Sequence, residues 1–329
     1  MTISGLSARP EASDAENRRS RETLKFLAPP NETGVDGLIQ AGHVLEWIDR
    51  AGFACAAAWS RAYCVTAYVG NIHFRRPIVA GDLVEADARI IHTGRSSMHI
   101  IVTISTADPK IGSYALATDC LLVFVAVDEQ RRPRPIPTWQ PQTVGDQSLA
   151  DRAVQRITVR SRIREAMSAQ TYSEDGTAPR MQFRFLAQPT DVNWGGVTHG
   201  GTVMRWIDET AHSCVIGWIK KPAVAVYAGG IHFERAIRIG DIVEVDARII
   251  HTSSRSIHVA ARVSSADPVE GHYRRTTQCM SVFVSPGPDG QASPVRPIEL
   301  RSDEDRRLDA HARDLITMRA ELDALDGRG

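Results

Sequence analysis

Two stretches of the chain carry apolar residues at helical spacing with few polar ones on any face. They are QAGHVLEWIDRAGFACAAAW from Gln40 and HGGTVMRWIDETAHSCVIGW from His199. In the first, Val44, Leu45, Ile48 and Ala51 recur at steps of three and four. A helix that is apolar nearly all round belongs inside a fold. A short strand precedes each helix, at Thr23–Ala28 and Met181–Gln188, followed by a Gly-rich loop. After the first helix come β-rich segments at Val65–Phe74, Leu83–His92, Ser97–Ala107 and Tyr114–Val127. Turn signals divide them: Pro77 with Gly81-Asp82, Thr93-Gly94, and Ala107-Asp108-Pro109. The same series follows the second helix. One long buried helix and a run of antiparallel strands predict an α+β unit, in which a sheet wraps around the helix.

The two series are copies. Shifted by 159 residues, Phe26–Val125 aligns with Phe185–Val284 without a gap, with about 44 of the 100 positions identical. Ile72–Phe74 returns at Ile231–Phe233, and Gly81–Thr93 returns at Gly240–Thr252. This predicts two tandem copies of one small domain, spanning 21–137 and 180–298. Residues 1–20 read as a polar, disordered arm and 138–179 as a linker, within which Asp151–Ser168 suits a helix. Ser302–Leu325 reads as a charged helix in a C-terminal segment, 299–329, with Leu308, Leu315, Leu322 and Leu325 on one side.

Composition narrows the classes. The 39 basic and 39 acidic residues balance, which argues against a general nucleic-acid binder. No run approaches the ~18 apolar residues of a membrane span. The N-terminus is polar and has no apolar signal core, so a cytoplasmic location is the expectation. The five cysteines sit in apolar segments without ligand spacing, and read as buried thiols. No metal site, phosphate-binding loop or nucleophilic-serine motif is evident, and no cofactor is expected.

The strongest chemical constellation lies in the second copy. It runs Pro189, Asp191, Asn193, Gly195-Gly196, His199-Gly200-Gly201, then Trp206-Ile207-Asp208. In the first copy, a Gly94-Arg95-Ser96-Ser97 strand entry and a FVAVD…RPRPIP tail complete the set. This ordered pattern resembles the hotdog-fold acyl-CoA thioesterases, over about Thr23–Pro137 and Met181–Pro297. Physical reasoning agrees with the resemblance. A helix N-terminus with Gly-Gly offers unpaired N–H groups at the positive end of the dipole. An Asp two turns further on, inside an apolar helix, is costly unless it has partners or a task.

The resemblance implies a tandem double hotdog with each site between two hotdogs, Asp from one and the Asn and helix entry from the other. One site would then join Asp49 to Asn193, His199, Gly200 and Gly201. The other would join Asp208 to Gly34, Gln40, Ala41 and Gly42, lacking the Asn and one Gly. One working site is therefore expected. Asp49 would activate or orient water, or attack directly. Asn193 would position water or the carbonyl, and N–H groups at Gly200 and Gly201 would polarise the thioester oxygen. If the geometry instead lay within one copy, Asp208 would be the base. Arg95, Ser96 and Ser97, with Arg255 and Ser256 in the second copy, match a family segment near the CoA phosphates. The Arg255 shift by one place would turn it to the other face of a strand. His73 and His232 fit core histidines better than substrate contacts.

The implied reaction is hydrolysis of acyl-CoA to free CoA and a carboxylic acid. A hotdog dehydratase is disfavoured by the missing separated His and Glu/Asp pattern. A non-catalytic acyl-CoA-binding module or sensor is the alternative, distinguished by whether thiol is released. By the same resemblance, three tandem chains would supply six hotdogs, so a homotrimer is expected.

Overall fold

The computed structural model describes residues 19–191 and 195–325. Apart from Arg19 and Ser20, the predicted polar arm falls outside them, as does Asn193. The first copy comprises β1 (Arg21–Leu27), α1 (Ala41–Ser60), β2 (Tyr63–Val69), β3 (Ile72–His73), β4 (Leu83–Thr93), β5 (Ser97–Ala107), β6 (Ala115–Val127) and α2 (Val144–Ser168). The second comprises β7 (Arg180–Leu186), α3 (Gly200–Ile219), β8 (Val224–Gly229), β9 (Ile231–His232), β10 (Ile242–Thr252), β11 (Ile257–Ala266), β12 (Arg274–Val284) and α4 (Asp303–Leu325). Each copy is an antiparallel sheet wrapped around one long helix, so the chain is a tandem double hotdog.

Strand alternation builds the core. Val84, Ala86, Ala88 and Ile90 on β4, and Met98, Ile100, Val102 and Ile104 on β5, are all buried at every second position. They close on Val44, Leu45, Ile48, Ala51 and Cys55 of α1. Val243, Val245, Ala247 and Ile249 repeat the arrangement beneath α3.

The sheets run β1-β4-β5-β6-β2-β9 and β3-β8-β12-β11-β10-β7. Each therefore ends on a two-residue strand donated by the other copy. Tyr68 and Val69 pair with His232 and Ile231, while Ile72 and His73 pair with Ala228 and Tyr227. This exchange closes the edges at which the two sheets meet. It also accounts for the repeated Ile-His-Phe. The His73 ring packs against Tyr227 and that of His232 against Tyr68, and His73 Nε2 lies 3.1 Å from an Asp323 oxygen.

The repeat extends further than the hotdogs. α2 and α4 sit at the same 159-residue offset, with the same start. Thr143 and Asp146 form a reciprocal capping box. Ser302 and Asp305 repeat it: Asp305 N–H donates to Ser302 Oγ at 3.0 Å and Ser302 N–H to Asp305 Oδ2 at 3.0 Å. The predicted linker helix thus begins seven residues before Asp151, at Val144. α4 covers the outer face of its sheet, where Leu308, Ala312 and Leu315 meet Ile250, Ala260 and Met280. Buried Arg248 pairs there with Glu304.

α1 and α3 pack on one another closely enough that only glycine fits at the contact. A Cβ on Gly42 would lie 3.0 Å from the Arg205 Cα, and one on Gly201 2.9 Å from the Glu46 Cα. Gly42→Ala should therefore destabilise the protein by about 1–3 kcal/mol, because backbone must move apart. Gly217, exposed on α3 with open space at its Cβ position, is the contrast. Gly217→Ala should stabilise by about 0.5–1 kcal/mol through helix propensity. Urea unfolding of the two variants measures both.

Candidate active site

Helix packing brings each aspartate to the start of the other helix. Asp49, 1% exposed, accepts a hydrogen bond at Oδ2 from the Gly201 N–H at 2.8 Å. Its Oδ1 accepts from the Thr66 hydroxyl at 2.7 Å. His199 Nδ1 lies 3.4 Å from Oδ2. Reciprocally, Asp208 accepts from the Gly42 N–H at 2.9 Å. Neither helix is capped by the side chain of its own preceding residue, Gln40 or His199. The cap comes from the other copy, and the carboxylate faces the positive end of the helix dipole.

Of the residues inferred from the resemblance, Asp49 is brought to His199 and Gly201, and Asp208 to Gly42, while Asn193 lies outside the described residues. The Gly201 N–H is committed to Asp49. The Gly200 N–H bonds to nothing among the described residues and is the donor left for a ligand. A Cβ on Gly200 would lie 2.8 Å from Thr66 Oγ1 and 3.1 Å from Asp49 Oδ1. Glycine is thus required here by Thr66 and the carboxylate. In the other centre Ala41 takes this position and Ala225 stands where the first has Thr66. The two changes are complementary. Sequence reasoning missed Thr66, although the Thr66/Ala225 difference at the repeat offset was its signal.

The surroundings of the two centres also diverge. Phe53 packs edge-on against His199, with ring centroids 5.5 Å apart, and meets Tyr63 and Phe124, forming an apolar wall. His212 takes the place of Phe53 near Asp208, its Nε2 donating to the Ala223 carbonyl at 2.9 Å. Burial pushes the Asp208 carboxyl up to about 6, against the opposing pull of His212 and the Gly42 N–H. Gly34 lies in a tight turn, its N–H donating to the Leu38 carbonyl.

Arg95, Ser96, Ser97, Arg255 and Ser256 are not brought to either carboxylate. Arg95 and Ser96 form the β4–β5 turn, with Ser97 opening β5, and Arg255 and Ser256 form the β10–β11 turn. The expectation that a one-place shift flips Arg255 across a strand does not apply, because turns do not alternate faces. Arg255 donates instead to the Ala292 carbonyl at 2.8 Å, and the Ser256 hydroxyl lies 3.0 Å from His258 Nε2. All five cysteines are free and buried, and burial raises each thiol. Such thiols are poor nucleophiles. Among the described residues no group of His, Cys, Asp and Glu suits a metal ion, and no helix is long and apolar enough to cross a membrane.

Comparison with known proteins places the fold in a family. The model of the thioesterase superfamily fits residues 37–113 and again 195–272. The acyl-CoA thioester hydrolase YciA of Salmonella typhimurium is 33% identical over 117 residues, covering 35% of this chain and 88% of that protein. The cytosolic acyl coenzyme A thioester hydrolase of Mus musculus is 23% identical over 303 residues, covering 87% of this chain and 79% of that one. The solved structure of a putative oleoyl thioesterase from Lactobacillus plantarum shares the fold, with a TM-score of 0.56 at 10% identity, over 81% of this chain and 96% of that one. The chain belongs to the thioesterase superfamily, and is a thioester hydrolase built as a tandem double hotdog.

The raised Asp208 carboxyl has a consequence for stability. The folded state holds its proton up to about pH 6, whereas the ordinary value is 3.8. Its contribution to stability is therefore complete below pH 4 and lost as pH rises through 6. Asp208→Asn keeps an acceptor for Gly42 without the charge. It should stabilise the protein by up to about 3 kcal/mol at pH 7.5, with the gain vanishing near pH 4. Denaturant titrations at the two pH values check this.

Proposed function

We propose that the chain hydrolyses acyl-CoA thioesters at one composite centre, formed by Asp49 and Thr66 of the first copy with Asn193, His199, Gly200 and Gly201 of the second. The observation that carries this reading is the buried Asp49 carboxylate, held by the Gly201 N–H and the Thr66 hydroxyl beside a Gly200 N–H that has no partner among the described residues. The acyl-CoA substrate follows from what the relatives are named for.

In this reading the thioester oxygen accepts from the Gly200 N–H, where the dipole of α3 stabilises the developing oxyanion. Water attacks the carbonyl carbon and gives its proton to Asp49. The C–S bond breaks, a carboxylic acid forms, and the CoA thiolate takes up a proton. Asn193 positions the water or the carbonyl, and His199 closes the site against Phe53. Arg95, exposed at its hairpin tip, is available to CoA, whereas Arg255 is tied to a carbonyl. The Asp208 centre has neither Thr nor Asn and does not turn over.

One observation favours a second reading, in which both centres work. Burial raises the Asp208 carboxyl to about 6, toward the optimum for a base near neutrality. Free-thiol release by Asp49→Ala and Asp208→Ala separates the two. Asp49→Ala should lower kcat by roughly 100-fold or more, and Asp208→Ala should leave it within about threefold. Comparable losses in both would establish two working centres. Activity intact in both folded variants would sink the hydrolytic role of these residues.

We also propose that three chains assemble. Val154 and Ile157 are exposed on α2, although Ala150 and Ala153 of the same helix are buried. A partner chain would cover them. Light scattering should give three times the chain mass of 36.1 kDa. A single chain mass would refute the trimer.

A further inference from the structure

The loop that enters α3 leans on the first copy. Gly195 lies over the ring face of Tyr63, where a Cβ would be 2.3 Å from Cζ and 2.7 Å from both Cε carbons, so nothing larger than glycine fits. Its carbonyl accepts from the Arg131 guanidinium at 2.8 Å. Four residues on, the His199 ring meets that of Phe53, which also meets Tyr63, with centroids 5.5 and 6.3 Å apart. Between these points the second copy holds its own chain. Val197 bridges Arg238 as an antiparallel pair, and the Thr198 N–H donates to the Ile237 carbonyl at 3.0 Å. The segment leads directly into Gly200 and its N–H.

Tyr63 and Arg131 belong to one platform. Tyr63 opens β2 and pairs with Val127 at the end of β6. The turn after β6 carries Arg131, whose N–H donates to the Asp128 carbonyl at 2.9 Å, and Val127 bridges Pro133 where the turn closes. Arg131 has a φ of 61°, a left-handed conformation that is unfavourable for a residue with a Cβ. Its counterpart at the repeat offset is Gly290, at 76°. An arginine at a glycine-type position is accounted for by what its side chain holds.

The first copy shows the alternative. Its equivalent loop is closed by a side chain of its own. Asp36, the counterpart of Gly195, accepts at Oδ1 from the Leu38 N–H at 3.1 Å. The counterparts of Tyr63 and Phe53 are Pro222 and His212. Gly195 has no side chain with which to close its turn, and the Tyr63 ring fills that place. The Asp208 centre therefore has a self-contained helix entry, and the Asp49 centre one moulded by the opposite copy.

We infer, resting on the acyl-CoA reading above, that Tyr63 is a positioning residue for thioester hydrolysis, with Arg131 as a second point of hold. Together they set the loop so that the Gly200 N–H meets the reacting carbonyl oxygen. An oxyanion donor works only at hydrogen-bonding distance from the developing charge, and a displacement of about 1 Å costs on the order of 100-fold in rate. The first copy thus supplies both the Asp49 carboxylate and the surface against which the donor of the second copy is set.

The test follows wild type, Tyr63→Ala, Tyr63→Phe, Gly195→Ala and Arg131→Met in free-thiol release from an acyl-CoA. Hydrogen–deuterium exchange of residues 195–201 is measured on the same proteins. Tyr63→Ala should lower kcat by about tenfold or more with KM within about threefold, and should speed exchange of the loop. Tyr63→Phe keeps the ring, and should return kcat to within about threefold of wild type and exchange to the wild-type rate. Gly195→Ala should lower kcat as Tyr63→Ala does, because its Cβ has no room over the ring, and should add no further loss in the Tyr63→Ala background. Arg131→Met alters an exposed turn, so it serves as the test if Tyr63→Ala does not fold. It should lower kcat by about threefold or more and speed the same exchange. Faster exchange with kcat unmoved, or a rise in KM alone, would overturn the positioning role. A Tyr63→Phe variant as slow as Tyr63→Ala would also overturn it. Absence of thiol release by wild type would instead overturn the acyl-CoA reading, and exchange would still decide whether Tyr63 and Arg131 hold the loop.

Discussion

The whole arrangement depends on a hydrogen bond that neither copy can make alone. The N-terminus of a helix leaves backbone N–H groups without intrahelical partners, and burial makes each of them costly. In α1 and α3 the preceding side chains do not supply the cap. Asp208 serves Gly42 and Asp49 serves Gly201, at 2.9 and 2.8 Å. The carboxylates are equally dependent, since a buried charge needs a donor. Each copy therefore completes the other, and the bond that completes the fold also aims a carboxylate at a helix entry. Close approach of the helices is the condition for both, which explains glycine at 42 and 201.

The same interaction places the two carboxylates in different surroundings. Thr66 gives Asp49 a second donor, and Phe53 gives it an apolar neighbour. Asp208 has Ala225 and His212 in these places. Burial outweighs the opposing pull of His212 and the Gly42 N–H, and the Asp208 carboxyl rises to about 6. An elevated carboxyl is often taken as a mark of a working site. Here it follows from burial, the same condition that lets Asp208 cap α1.

Much of this was legible in the sequence, because the signals were local and doubled. Helical spacing from Val44 to Ala51 and alternation along β4 and β5 each specify an element and the face it buries. The gapless offset reported the duplication, and the cross-copy pairing came with the family resemblance. What stayed hidden depends on contacts between distant segments. Thr66 is an unremarkable strand residue until packing places it against Asp49. The exchange of β3 and β9 follows from two-residue strands too short to announce their partners. The kinship of α2 and α4 was visible at Thr143/Ser302 and Asp146/Asp305, but their outward faces have diverged enough to read as a linker and a tail.

Duplication within one chain also permits an asymmetry that a symmetric dimer cannot have. Glu46 and Arg205 occupy equivalent positions, 159 residues apart, and meet across the pseudo-twofold relation at 3.1 Å. In a dimer of identical copies, such a position would face itself, and a charge there would meet its own sign. Here opposite charges face each other, with Arg205 also bonded to Glu209 at 2.7 Å. Pairing first copy with second is favoured, and pairing either with its own kind is opposed by like-charge repulsion. Once the partner is fixed in this way, each half is free to specialise. One half keeps Thr66 and Gly200 beside Asp49, where the other has Ala225 and Ala41 beside Asp208.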